Sequence, residues 1–98
     1  MTIRHLVMFR WKPESTQEQI DAMTADLAHM PEWVPSIRAY DFGPDVLGTE
    51  GNFDFAISAL FDDEAGYRAY ADDPQHKQFI VERIRPLIAE RSAIQVGF

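Results

Sequence analysis

Cysteine is absent from this chain of 98 residues. That removes disulfides, thiolate metal ligands and a cysteine nucleophile together. Positive charge is scarce, because nine Lys and Arg face sixteen Asp and Glu for a formal net charge of -7. Nucleic acid and anionic membrane surfaces would both be repelled, so neither is an expected partner. Long apolar runs are missing as well. Arg4, Arg10 and Lys12 interrupt the first candidate, which leaves no membrane span and no secretory leader. There is no glycine-rich phosphate loop and no nucleophilic-serine motif. No two of the three histidines have metal-ligand spacing, so neither a metal nor a cofactor is expected. One domain over residues 1–98 is expected, in the cytoplasm.

What the chain does have is aromatic and aliphatic surface. Seven Phe, three Tyr and two Trp are more apolar area than a lone domain of 98 residues hides comfortably. Ile3–Trp11 reads as a strand whose two faces are both substantially apolar, ending at Lys12-Pro13. Ser15-Thr16-Gln17-Glu18 reads as a capping box for a helix striped by Ile20, Met23, Leu27 and Met30 and ended by Pro31. A second strand is expected from Ser36 to Phe42, then a glycine-containing hairpin loop over Asp45–Asn52. Phe53, Phe55, Ile57, Ala59 and Phe61 share one face of a third strand. Asp62 or Asp63 then caps a helix running through Tyr70, and Asp73-Pro74 starts another, with aspartate at the cap and proline at the first helical position. Phe79, Ile80, Ile84 and Leu87 give that helix its buried side, and Ile94, Val96 and Phe98 alternate as a last strand.

The order β-α-β-β-α-β makes an α+β, ferredoxin-like sandwich with a four-stranded antiparallel sheet. Helices cover one sheet face only. His5, Val7, Phe9, Phe55, Ile57 and Phe61 are expected to meet them, while Leu6, Met8, Tyr40, Phe42, Ala56 and Leu60 would lie on the open side. A contiguous apolar face of that kind predicts a homodimer packed sheet to sheet.

Three segments, IRHLVMFRWKP, FDFAISALFDDEAGYRAYADDPQHKQF and IRPLIAERSAIQVGF, resemble the stress-responsive A/B barrel domain, or Dabb, family over nearly the whole chain. The resemblance implies a dimeric α/β barrel. Most members of that family have no assigned activity, and a minority are plant-type polyketide cyclases that close a ring with a tyrosine and a histidine. Tyr70 and His76 match that pair, and His5 matches a histidine lining the same cavity. Two positions depart from the pattern. Asp73 stands where the family often has a further histidine, and Phe55 replaces another pocket histidine.

Each of these residues has two readings. His76 falls near the positive end of a helix, where a neutral imidazole is favoured, and a neutral imidazole can act as a general base. It can equally hydrogen-bond local backbone. Tyr70 can donate to a developing oxyanion or simply pack its ring. His5 either lines a cavity or is a satisfied core histidine. If the three converge, a pocket walled by Phe55, Ile57, Phe79 and Ile80 follows, suited to a small apolar or aromatic ligand. The expected activities are then ligand binding or a cofactor-free aldol- or Claisen-type ring closure. A cofactor-independent monooxygenase and a structural module without a pocket are the alternatives.

Overall fold

A computed structural model describes residues 1–98. Four strands, β1 (Ile3–Trp11), β2 (Ile37–Pro44), β3 (Phe55–Phe61) and β4 (Ile88–Gly97), form one antiparallel sheet in the order β2-β3-β1-β4. Helices α1 (Gln17–Leu27), α2 (Met30–Trp33), α3 (Glu64–Asp72) and α4 (Pro74–Phe79) join them, and a π turn over Ile80–Ile84 continues α4. This is the ferredoxin-like α+β sandwich. None of the helices is long and apolar enough to cross a membrane.

The alternation in β1 and β3 settles which face the helices cover. Val7, Phe9, Phe55, Ile57, Ala59 and Phe61 are buried, and they pack with Met23, Leu27, Tyr70 and Phe79 into one core. Several boundaries differ from the sequence expectation. The capping box is one residue later, with Thr16 as the cap and Gln19 as its reciprocal partner. Ser15 instead donates to the Leu87 carbonyl at 2.9 Å. Pro31 does not end the first helix. α1 stops at Leu27, and Pro31 occupies the first turn of α2, where its missing N–H has no helical acceptor to lose. β4 begins at Ile88, well before Ile94, because it pairs along the full length of β1. Phe53 precedes β3 and lies under the Arg10 guanidinium at 4.0 Å.

The largest correction concerns β2. A bulge between Ile37 and Ala39 leaves Arg38 without a cross-strand partner, and Tyr40 then faces Ala59 while Phe42 faces Ile57. Both aromatics therefore point to the helix side. Simple alternation from Ile37 places them on the open side, and the extra residue reverses that parity.

The open face is formed by Leu6, Met8, Ala56, Ser58, Leu60, Ile94 and Val96, with Arg4 between Leu60 and Val96 and with Arg10, Glu90 and Asp41 at the margins. A shallow concavity of about 640 Å³, lined by Leu6, Met8, Ala56 and Ile94 among others, runs across it.

Candidate functional site

Between sheet and helices, His5, Tyr40, Tyr70, His76 and Arg91 line a small cavity of about 40 Å³, with Val7, Ile57, Phe79, Ile80 and Ile84 as apolar walls. Each polar group arrives from a different element for a local reason. His5 is the third residue of inner strand β1, opposite Ala59 on one side and Gln95 on the other. The small Ala59 leaves room for the rings of Tyr67 and Tyr70, centred 5.3 and 5.8 Å from His5. Tyr70 comes from the last turn of α3. Asp73 ends α3 and starts α4, where its Oδ1 accepts from the backbone N–H of Gln75 at 2.9 Å and of His76 at 3.0 Å. Proline at the first helical position fixes the turn further. That corner lays the His76 ring against Tyr70 at 3.9 Å between centroids.

His5 and His76 are only 4% and 7% exposed. Burial pushes both imidazoles down to about 4, since a buried cation loses its hydration. For His5 the Arg91 guanidinium pushes in the same direction. For His76 the Asp73 carboxylate pulls upward without overcoming burial. Both rings are therefore neutral at pH 7. Gln95 Nε2 lies 2.9 Å from His5 Nδ1. An amide nitrogen only donates, so Nδ1 accepts and the imidazole proton sits on Nε2. Burial pushes the Tyr70 phenol up to about 12 and raises Tyr40 further still, which keeps both as donors.

Two buried atoms, Tyr40 Oη and His76 Nδ1, have no well-formed hydrogen bond within the protein, Tyr40 having only a weaker contact with the Tyr70 hydroxyl. Leaving such groups unpaired costs about 1–3 kcal/mol each. The cluster therefore holds neutral imidazoles that can accept a proton, phenols that can donate one, and unmet hydrogen-bonding capacity.

The structure thus brings His5, Tyr70 and His76 together, with Ile57, Phe79 and Ile80 beside them. Phe55 is not on the cavity wall. It is buried further along β3, against Trp11 at 5.5 Å. Three site residues escape a reading of the sequence. Tyr40 is hidden by the bulge. Arg91 and Gln95 are hidden because β4 begins earlier than its apolar alternation shows, although each shares the parity that faces His5. No three His, Asp or Glu side chains come together as a metal site. The 640 Å³ concavity lies on the other side of the sheet and shares no histidine or tyrosine with this cluster.

Residues 3–97 match the family described as Stress responsive A/B Barrel Domain, or Dabb. No protein of curated function matches the sequence. Among solved structures, the chain is similar to a dimeric ferredoxin-like protein of unknown function from Thermobifida fusca YX. The identity is 38% and the TM-score 0.90, over 100% of this chain and 92% of that one. It shares its fold with the hydroxynitrile lyase from Passiflora edulis, at 22% identity and TM-score 0.86 over 97% and 91% of the two chains. It also shares it with SnoaB, a cofactor-independent oxygenase from Streptomyces nogalater, at 10% identity and TM-score 0.77 over 99% and 92%.

Proposed function

The chain belongs to the stress responsive A/B barrel domain family, and from that premise we propose a homodimer, joined through its open sheet faces, that binds a small, largely apolar molecule in each inter-layer cavity. The observation that carries the ligand reading is the pairing of a void with unmet polar groups. Tyr40 Oη and His76 Nδ1 are buried without a well-formed hydrogen bond beside the cavity that also gathers His5 and Tyr70. A ligand with one polar group and an apolar body satisfies the first pair and fills the space along Ile57, Phe79 and Ile80.

In the enzymatic form of this reading His76 is the general base, since its neutral ring has a free nitrogen. Tyr70 donates to the oxyanion of an enolate and His5 orients the substrate. The reaction class is a cofactor-free aldol- or Claisen-type ring closure. At about 40 Å³ the cavity takes one or two heavy atoms, so a ring-sized body enters only as α4 and the π turn move outward. Ile80 and Ile84, on that turn, form the wall that would have to yield, and π turns recur at functional sites. The oxygenase and lyase structures lend only their fold. The cysteine-free chain needs no oxidising compartment, and a cytoplasmic setting belongs to the same reading.

The test is a thermal-shift screen of small aromatics and poly-β-ketones against the dimer. A binder at a hundred times its Kd stabilises the fold by about 2.7 kcal/mol. The expected result is a shift in the wild type that is lost in His76→Ala and Tyr70→Phe. A shift unchanged in both variants, or no shift with any compound, overturns the reading.

A further inference from the structure

We infer that Arg91 is the anion-binding residue of this cavity, and that the ligand is a small monocarboxylic acid whose apolar body points inward from it. The inference rests on the ligand-binding reading above and narrows it to an acidic class. Of the 13 residues that line the cavity, Arg91 alone carries a fixed charge. That charge is positive in a chain of net charge -7, and none of the sixteen Asp and Glu is on the cavity wall. Asp73 lies beside His76, but its Oδ1 is engaged by the N–H groups of Gln75 and His76. Arg91 has no such partner. Arg10, Arg38, Arg68, Lys77 and Arg83 each pair with a carboxylate, whereas Arg91 pairs with none. Arg4, Lys12 and Arg85 are unpaired too, but none of them lines this cavity.

The fold sets that guanidinium at the rim. β4 is an edge strand, and Arg91 lies opposite Phe9 of β1, another residue of the cavity wall. Arg91 is exposed, so it is reached from water as well as from the cavity. Burial is the main cause that depresses both imidazoles, and the guanidinium adds to it in each. At the Tyr70 phenol it pulls against burial. One cation therefore acts on all three groups gathered in the site. A guanidinium offers its N–H donors as a planar fork, which fits a carboxylate through two parallel hydrogen bonds. An anion held at the rim keeps part of its hydration and escapes the full cost of burial. From there a hydrocarbon tail enters along Val7, Ile57 and Phe79, into a void of about 40 Å³ that takes one or two heavy atoms as it stands. In the ring-closing form of the reading, the substrate is then a keto acid.

The test compares propionate, whose ethyl tail fits the void, with propionamide, its neutral counterpart of the same shape. Each is titrated into the full chain at neutral pH and constant ionic strength, while ¹⁵N NMR follows the His5 and His76 rings. Propionate is expected to shift both rings saturably, and propionamide with affinity lower by at least about tenfold. Arg91→Gln should bring propionate down to the level of propionamide. Arg91→Lys should recover only part of the difference, since an ammonium is a point charge and not a fork. A crystal soaked in propionate should show the carboxylate on the Arg91 guanidinium and the ethyl group beside Ile57 and Phe79. Equal affinities for the two compounds, or a propionate response unchanged in Arg91→Gln, would overturn the role of Arg91 while leaving the cavity a binding site. So would a crystal with the carboxylate on another cation. If neither compound moves the rings, this inference and the ligand-binding reading fall together. The wild-type titrations and crystal decide the question even if a variant folds poorly.

Discussion

At the level of single residues, the two buried histidines tie stability to pH. His5 and His76 titrate near 6.5 in an unfolded chain and near 4 in the folded one. Between those values the unfolded state binds protons that the folded state refuses. Stability is therefore fully present above pH 6.5 and is lost as the pH falls from 6.5 towards 4. Allowing for solvent screening, each histidine accounts for on the order of 1–2 kcal/mol of that loss. Urea denaturation of the wild type between pH 7 and 4 should show a falling midpoint. His76→Gln should flatten the slope by the share of one proton. An equal slope in wild type and variant would mean that His76 ionises freely in the fold. These histidines are legible in the sequence because each is a polar ring at an otherwise apolar or capping position. Tyr40 is not, because its facing depends on one inserted residue, and no propensity marks Arg38 as the residue that bulges.

At the level of elements, the corner between α3 and α4 carries the site, and Asp73 carries the corner. Its carboxylate accepts from two consecutive N–H groups at the start of α4. Asp73→Ala should destabilise the fold by about 1 kcal/mol, and up to about 2 because two donors are orphaned. Asp73→Asn, which still accepts, should lose under half as much. Chemical denaturation of the two variants side by side checks this, and equal losses would assign the effect to charge instead of capping. The Asp-Pro start of α4 is plain in the sequence, as is the apolar alternation of β1 and β3. Two other features are not. The break between α1 and α2 falls inside a continuous stripe of Met23, Leu27 and Met30, which are all buried although the helix stops at Leu27. β4 shows little buried alternation because it is an edge strand, exposed even at Arg91, Ala93 and Gln95 on the side facing His5. Burial, which makes the pattern visible elsewhere, is missing there.

At the level of the whole molecule, the sheet has one covered face and one bare one. On the bare face Ile94 is 58% exposed, Val96 42% and Met8 40%. They adjoin one another through the pairing of Leu6 with Ile94 and of Met8 with Ser92. Scattered exposed apolar residues are ordinary, whereas a set that runs from Leu6 and Met8 of inner strand β1 onto Ile94 of edge strand β4, with Arg4 beside Val96 and Arg10, Glu90 and Asp41 at its margins, has the layout of an interface. In a twofold dimer the same patch meets itself, so a single substitution acts twice. Ile94→Asp would place two carboxylates in the apolar seam, where each loses hydration without a partner, at several kcal/mol apiece. Because Ile94 does not touch the core on the helix side, the subunit fold should survive. The expected result in sedimentation equilibrium at micromolar concentration is a dimer for the wild type and a folded monomer for Ile94→Asp. The far-ultraviolet circular dichroism of the two should be the same. A wild type that sediments as a monomer would leave the bare face without its proposed partner. A variant that stays dimeric would move the contact elsewhere, and the exposed edge of β4 would be the next place to look.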